Sequence, residues 1–157
     1  MEKYYQSLLQ YIHQNPLLKK IIIYICQYFP YITFGLYPCI LIYLFFVNKD
    51  LLLITIIKPL SAFLFVTILR KIVNRKRPYE SMEIDSLIKH KKGESFPSRH
   101  AVSAMIIALV CFGINIYLGI FALVIALLIC ISRIMAGVHY ISDVFVSIII
   151  AFMIYMI

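Results

Sequence analysis

Acidic residues are scarce in this chain. Seven Asp and Glu stand against fifteen Lys and Arg in 157 residues, a net charge of +8. Cysteine is sparse too. Cys26, Cys39, Cys111 and Cys130 sit in apolar runs, without the paired spacing of a zinc site or the small secreted context of a disulfide framework. They read as small buried hydrophobes. There is no internal repeat and no low-complexity tail, which excludes a solenoid. A secretory leader is missing as well. The first residues are polar, Lys19-Lys20 precede the first long apolar run, and the first alanine is Ala62, too late for a small-residue cleavage site. The chain is expected to stay unprocessed.

What is abundant is apolar. Hydrophobic residues make up 63% of the chain, against about 45–50% in a soluble domain. That excess implies one compact all-α domain over residues 1–157, an integral membrane helical bundle with five to six transmembrane helices. Tyr4, Leu8, Tyr11 and Ile12 recur at helical spacing and predict a short interfacial helix before Pro16. Residues 17–29 fall short of the roughly 20 residues a span needs, and they carry Lys19, Lys20 and Gln27. Residues 1–30 therefore read as interfacial or partly inserted, with full spanning of 17–29 as the alternative. Spans are expected over residues 31–47, 51–69, 101–115, 116–131 and 141–157. Pro38 predicts a bend in the first, and Lys58-Pro59 a kink with a snorkelling lysine in the second. Residues 70–100 form a long polar loop, a length that usually marks function.

Polar residues concentrate in three clusters. The first runs from Arg70 to Arg77-Pro78, the second is Pro97-Ser98-Arg99-His100, and the third is Ser132-Arg133 followed by His139 and Asp143. Nine of the fifteen Lys and Arg lie between Arg70 and Arg99. Such a stretch suits nucleic acid, anionic headgroups or a phosphorylated substrate. Flanking membrane segments argue against nucleic acid. Between the second and third clusters the chain crosses away and returns, so all three are expected at one membrane face. Charges in membrane segments are expensive and usually functional.

The residue types suit phosphate. Arg70 and Arg77 lie about two helical turns apart, and arginine's planar fork matches phosphate oxygens. Lys71, Arg75 and Lys76 read as a juxtamembrane anchor for anionic lipid. Ser98 stands where a polar loop becomes an apolar helix, as a natural N-cap, and a helix start is an anion site. His139 and Asp143 are four apart, so on a helix the carboxylate can fix the imidazole tautomer and leave the other nitrogen as nucleophile. A metal site of His100, His139 and Asp143 is disfavoured by the neighbouring arginines, which oppose a cation. Arg70, Arg77, Arg99 and Arg133 would repel one another without an anion between them.

These residues resemble the type 2 phosphatidic acid phosphatase superfamily, which includes lipid phosphatases and vanadium haloperoxidases. The family pattern is Lys-x6-Arg-Pro, then Pro-Ser-Gly-His, then Ser-Arg-x5-His-x3-Asp. The third motif is complete here in Ser132, Arg133, His139 and Asp143. Arg70 replaces the lysine of the first, and Arg99 the glycine of the second. The resemblance implies that His139 is the nucleophile forming a phosphohistidine, that Asp143 orients it, and that His100 protonates the leaving oxygen. It implies that Arg70, Arg77, Ser98 and Arg133 cradle the phosphate and that no metal or other cofactor is needed. Arg99, where the family has glycine, keeps the backbone N–H that approaches the phosphate and is expected among the substrate-binding residues, with its guanidinium either added to the site or turned to the headgroup layer.

The function expected is a membrane phosphatase acting on a lipid phosphomonoester or pyrophosphate: phosphatidate, phosphatidylglycerophosphate or a polyprenyl pyrophosphate. Its partners would be that substrate and the surrounding membrane lipids, not nucleic acid. The competing reading is a non-catalytic membrane protein that binds anionic lipid or a phosphorylated ligand, supported by Arg70 and Arg99. A haloperoxidase fits the size and apolar content less well. The positive-inside rule puts the basic face in the cytoplasm, whereas the resemblance implies an outward-facing site in the cell membrane.

Overall fold

The computed structural model describes residues 2–82, 84–88 and 91–157. Among these the chain forms seven α-helices: α1 (Glu2–Gln14), α2 (Pro16–Val47), α3 (Lys49–Val73), α4 (Pro78–Ser81), α5 (Arg99–Ile114), α6 (Ile116–Met135) and α7 (Ile141–Met156). The chain is an integral membrane helical bundle. By length and apolarity α2, α3 and α6 can each cross a membrane, while α5 and α7 are shorter apolar helices. Large side chains such as Phe45, Phe46, Leu64 and Phe121 remain exposed on the outside, as a lipid-facing surface requires.

Asparagines punctuate the bundle. Asn15, Asn48 and Asn115 each occupy an N-cap, and their side-chain oxygens accept from backbone N–H groups at the starts of α2, α3 and α6. Pro16 takes the first position of α2, where its missing N–H is harmless. Residues 17–29 and 31–47 are one helix rather than a short inserted piece and a separate span. Pro30 and Pro38 both lie inside α2. A proline removes one intrahelical bond, and the apolar residues on both sides of Pro30 still favour helix in an apolar setting.

Helix α5 is the best-buried element, with Val102, Met105, Ile106, Ala108 and Cys111 in the main core. It packs antiparallel to α6 across Asn115. Gly119 lies against Phe112, and a Cβ there would stand 2.4 Å from the ring, so the hairpin closes only because that position is bare. At the far end of the bundle, Lys58 donates to the Tyr155 carbonyl and lies over the Tyr155 ring. The lysine thus serves the C-terminal turn of α7, where a cation is favoured.

At the other end a second core unites α1 with the polar loop. Tyr5, Leu9 and Ile12 pack with Ile22, Cys26, Ala136 and Val138, joined by Tyr79, Ile84 and Leu87. The buried stripe of α1 is therefore 5, 9 and 12, whereas Leu8 and Tyr11 are exposed; the Tyr4 side chain lies outside the described residues. Helix α3 runs on to Val73, so Arg70 is helical and the loop begins at Asn74, which ends α3 in the left-handed conformation.

Candidate functional site

The three sequence clusters meet at the end of the bundle covered by α1. Arg70 arrives on the last turn of α3, His100 on the first turn of α5, and His139 on the link between α6 and α7. With Arg77, Lys91, Lys92, Gly93, Glu94 and Arg99 they line a small polar pocket of about 70 Å³.

The loop is tied down by its own polar groups. The Glu80 carboxylate accepts from the backbone N–H of Arg77 and of Gly93, both at 2.8 Å. Arg77 Nε donates to the carbonyls of Lys91 (2.9 Å) and Gly93 (3.1 Å), and its Nη1 donates to the carbonyl of Val138 (2.9 Å). Gly93 sits at φ +69°, and a Cβ would meet the Asn74 side-chain oxygen at 2.8 Å; glycine makes this turn possible. Arg70 Nη1 donates to the Pro97 carbonyl (2.9 Å), and its Nη2 lies 3.7 Å from Glu94.

His139 is 1% exposed. It precedes the N-cap of α7 rather than lying on that helix with Asp143. Its Nδ1 stands 2.8 Å from the Ser95 carbonyl. A carbonyl can only accept, so Nδ1 carries the proton and Nε2 keeps its lone pair. Arg77 Nη1 lies 3.4 Å from that Nε2. Burial pushes the imidazole down to about 4; the Asp143 carboxylate opposes this, and the Arg77 and Arg70 charges add to it. The ring is thus neutral at ordinary pH.

The expected pairing of Asp143 with His139 is looser than the spacing suggested. Asp143 Oδ2 lies 3.7 Å from Nδ1. Its closer partners are Ser95 Oγ (2.5 Å) and the Tyr140 N–H (3.0 Å) on Oδ2, and Arg75 Nη1 (2.7 Å) on Oδ1. Asp143 therefore fixes the segments that hold His139. Arg75, read from the sequence as a lipid anchor, instead pairs with Asp143 and stacks on the Tyr140 ring at 4.0 Å.

Ser98 occupies the N-cap of α5, but its side chain makes no cap bond. Its N–H donates to Ser147 Oγ (2.8 Å). Ser98 Oγ and Arg70 Nε are buried without a hydrogen-bond partner among the described residues. Arg133 is buried on α6 and donates from Nη2 to the Cys26 carbonyl of α2 (2.8 Å). Arg133, Ser98 and Asp143 are buried, while Arg70, Arg77, Arg99, His100 and His139 line the pocket. Among the described residues no group of three His, Cys, Asp or Glu is placed to hold a metal ion.

Sequence reasoning missed Ser95, Arg75, Ser147 and Tyr5. The Tyr5 hydroxyl donates to the carbonyls of Ile134 (2.8 Å) and His139 (3.2 Å). Burial raises its pKa, with the Tyr140 and Asp143 charges adding, so it remains a donor.

A second cavity adjoins the first. It has a volume of about 710 Å³ and is walled by apolar side chains of α2, α3 and α5, including Phe34, Tyr37, Leu60 and Phe63. Arg99 and His100 line both cavities.

The PAP2 superfamily model matches residues 49–157. The chain belongs to the PAP2 superfamily. The matched region spans α3 to α7 and holds all three motif clusters, while α1 and α2 lie outside it. Among solved structures, that of Aquifex aeolicus LpxE is similar over 96% of this chain and 91% of its own, with TM-score 0.76 and 28% identity. The first transmembrane PAP2 type phosphatidylglycerolphosphate phosphatase from Bacillus subtilis shares the fold, with TM-score 0.70 and 23% identity over 98% of this chain and 82% of its own. No curated protein matches the sequence.

Proposed function

We propose that this PAP2 protein is a membrane phosphatase that hydrolyses a lipid phosphomonoester or pyrophosphate through a phosphohistidine on His139. The observation that carries the reading is the pair of adjoining cavities. One is small, cationic and lined by His139; the other is large and apolar; Arg99 and His100 belong to both. A molecule that fills the two has a phosphoryl head and a hydrocarbon tail.

In the proposed reaction His139 Nε2 attacks phosphorus and the bond to the leaving oxygen breaks. His100 supplies the proton that oxygen needs. Water then releases inorganic phosphate and restores the imidazole. The Ser95 carbonyl holds the Nδ1 proton and stabilises the positive charge that develops on the ring. Arg70 and Arg77 meet the phosphoryl oxygens. The unpartnered Ser98 Oγ and Arg70 Nε are donors such an anion would satisfy. Arg133, which also donates to the Cys26 carbonyl of α2, joins the proposed cradle from α6. The proposed chemistry is metal-independent, on a site facing outward from the cell membrane.

The test is phosphate release by purified protein in detergent with EDTA, against phosphatidate, phosphatidylglycerophosphate and a polyprenyl pyrophosphate. Release that His139→Ala lowers about a thousandfold or more supports the reading. No release from any substrate by the parent protein overturns it in favour of a phosphate-binding role. Orientation is tested by labelling Lys91→Cys on intact cells with a membrane-impermeant thiol reagent. Labelling that the parent chain does not show supports the outward face.

A further inference from the structure

The polar pocket holds more positive charge than its internal partners balance. Arg70, Arg77, Lys91, Lys92 and Arg99 line it, and Glu94 is the carboxylate among the lining residues. Arg70 is drawn to Glu94, and Arg77 donates to the backbone carbonyls of Lys91, Gly93 and Val138. Arg99 differs from both. It is exposed, no carboxylate of the described residues lies within ion-pair reach of it, and its guanidinium stands 5.8 Å from the Phe63 ring, the wall of the apolar cavity. It therefore sits at the junction, between the phosphoryl pocket and the tail cavity. In the family pattern this position is a glycine, which carries no charge.

We infer that Arg99 forms a second anion subsite that takes the inner phosphate of a lipid diphosphate while the outer phosphate lies against His139. The inference rests on the phosphatase reading and narrows its substrate class. A lipid monophosphate passes from phosphoryl group to tail through one oxygen and places no anion at the junction. A diphosphate places a whole phosphate there. When His139 Nε2 bonds to the outer phosphorus, the bridging P–O bond breaks and its electron pair stays on the bridging oxygen. That oxygen leaves as part of the lipid monophosphate, and Arg99 faces the charge it gains. Water then cleaves the phosphohistidine, so one diphosphate and one water yield one lipid monophosphate and one inorganic phosphate. A planar guanidinium suits a phosphate bearing two free oxygens, and Phe63 holds it at the cavity wall.

The experiment compares a polyprenyl diphosphate with the matching polyprenyl monophosphate, so that the tail is constant. Initial phosphate release is measured in detergent for the parent protein, Arg99→Gly, Arg99→Ala and Arg99→Lys. The parent protein is expected to favour the diphosphate. Arg99→Gly and Arg99→Ala should lower the ratio of kcat/KM for diphosphate over monophosphate about tenfold or more, and Arg99→Lys should lose less. Residual monophosphate hydrolysis certifies that the variants fold. An unchanged ratio in active variants, or a parent protein indifferent to the second phosphate, overturns the inference and leaves the phosphatase reading intact. Phosphatidylglycerophosphate, whose second phosphate is spaced by glycerol, is run beside them, and a loss confined to it also overturns the inference. Failure of the parent protein to hydrolyse any of these lipids overturns both.

Discussion

The hydroxyl of Tyr5 donates to the backbone carbonyl of His139 across 134 positions of sequence. The same hydroxyl also holds Ile134, at the end of α6. Helix α1, which the family match leaves out, is thereby fastened to both sides of the link that carries the proposed nucleophile. Tyr5→Phe keeps the ring in its core and removes only these bonds. A buried hydrogen bond contributes about 1 kcal/mol, so kcat should fall about fivefold with KM little changed. Steady-state kinetics beside a thermal melt checks this. A lowered melting temperature with unchanged kcat would show α1 to be packing only.

Asp143→Asn should slow turnover about a hundredfold, less than His139→Ala does. The Ser95 carbonyl still accepts from His139 Nδ1 in that variant, so the tautomer survives. What is lost is the grip on Ser95 and the pairing with Arg75. Equal losses in Asp143→Asn and His139→Ala would place the carboxylate, not the carbonyl, in control of the tautomer.

The neutral state of His139 has a pH signature. Its folded pKa is about 4, against 6.5 for the free side chain. Between those values the unfolded chain binds the proton and the folded chain does not, so stability falls as pH drops from about 6.5 towards 4 and levels off below. His139→Gln should flatten this slope in melts taken across that range. In the parent protein the acid limb of kcat/KM should lie near 4. A limb near 6.5 would mean that the imidazole titrates as if exposed.

Glu80 acts on the pocket through the backbone. Its carboxylate joins Arg77 to Gly93, which sets the wall where Lys91 and Lys92 stand. Glu80→Ala should raise KM several-fold, on the order of 1 kcal/mol of binding, and lower kcat less. The kcat and KM values of the variant decide it, and a pure kcat effect would contradict a wall-setting role.

Much of this was legible in the residues themselves. Apolar runs of spanning length, broken at Asn48 and Asn115, placed the helices, because an amide cap and an apolar helix face are local properties. One crossing out and one back between His100 and His139 put the clusters at one end, because helices in a bilayer leave few alternative paths. Arg70, Arg77, Arg99, His100 and His139 do line one pocket.

Other features waited on the folded chain. That α2 continues through Pro30 depends on a whole helix outweighing one missing bond, a balance that local pattern does not report. That Ser95 rather than Asp143 accepts the hydrogen bond from His139 Nδ1 depends on a backbone carbonyl, and every residue has one. Arg75 could be told from a lipid anchor only once its loop had folded back over α7. Tyr5 is one of twelve tyrosines, and nothing in its neighbours marks it as the one that reaches His139. Helices and motif spacing are short-range matters of covalent order and solvent preference. Which carbonyl, carboxylate or hydroxyl meets which side chain is decided by packing between segments far apart in the chain.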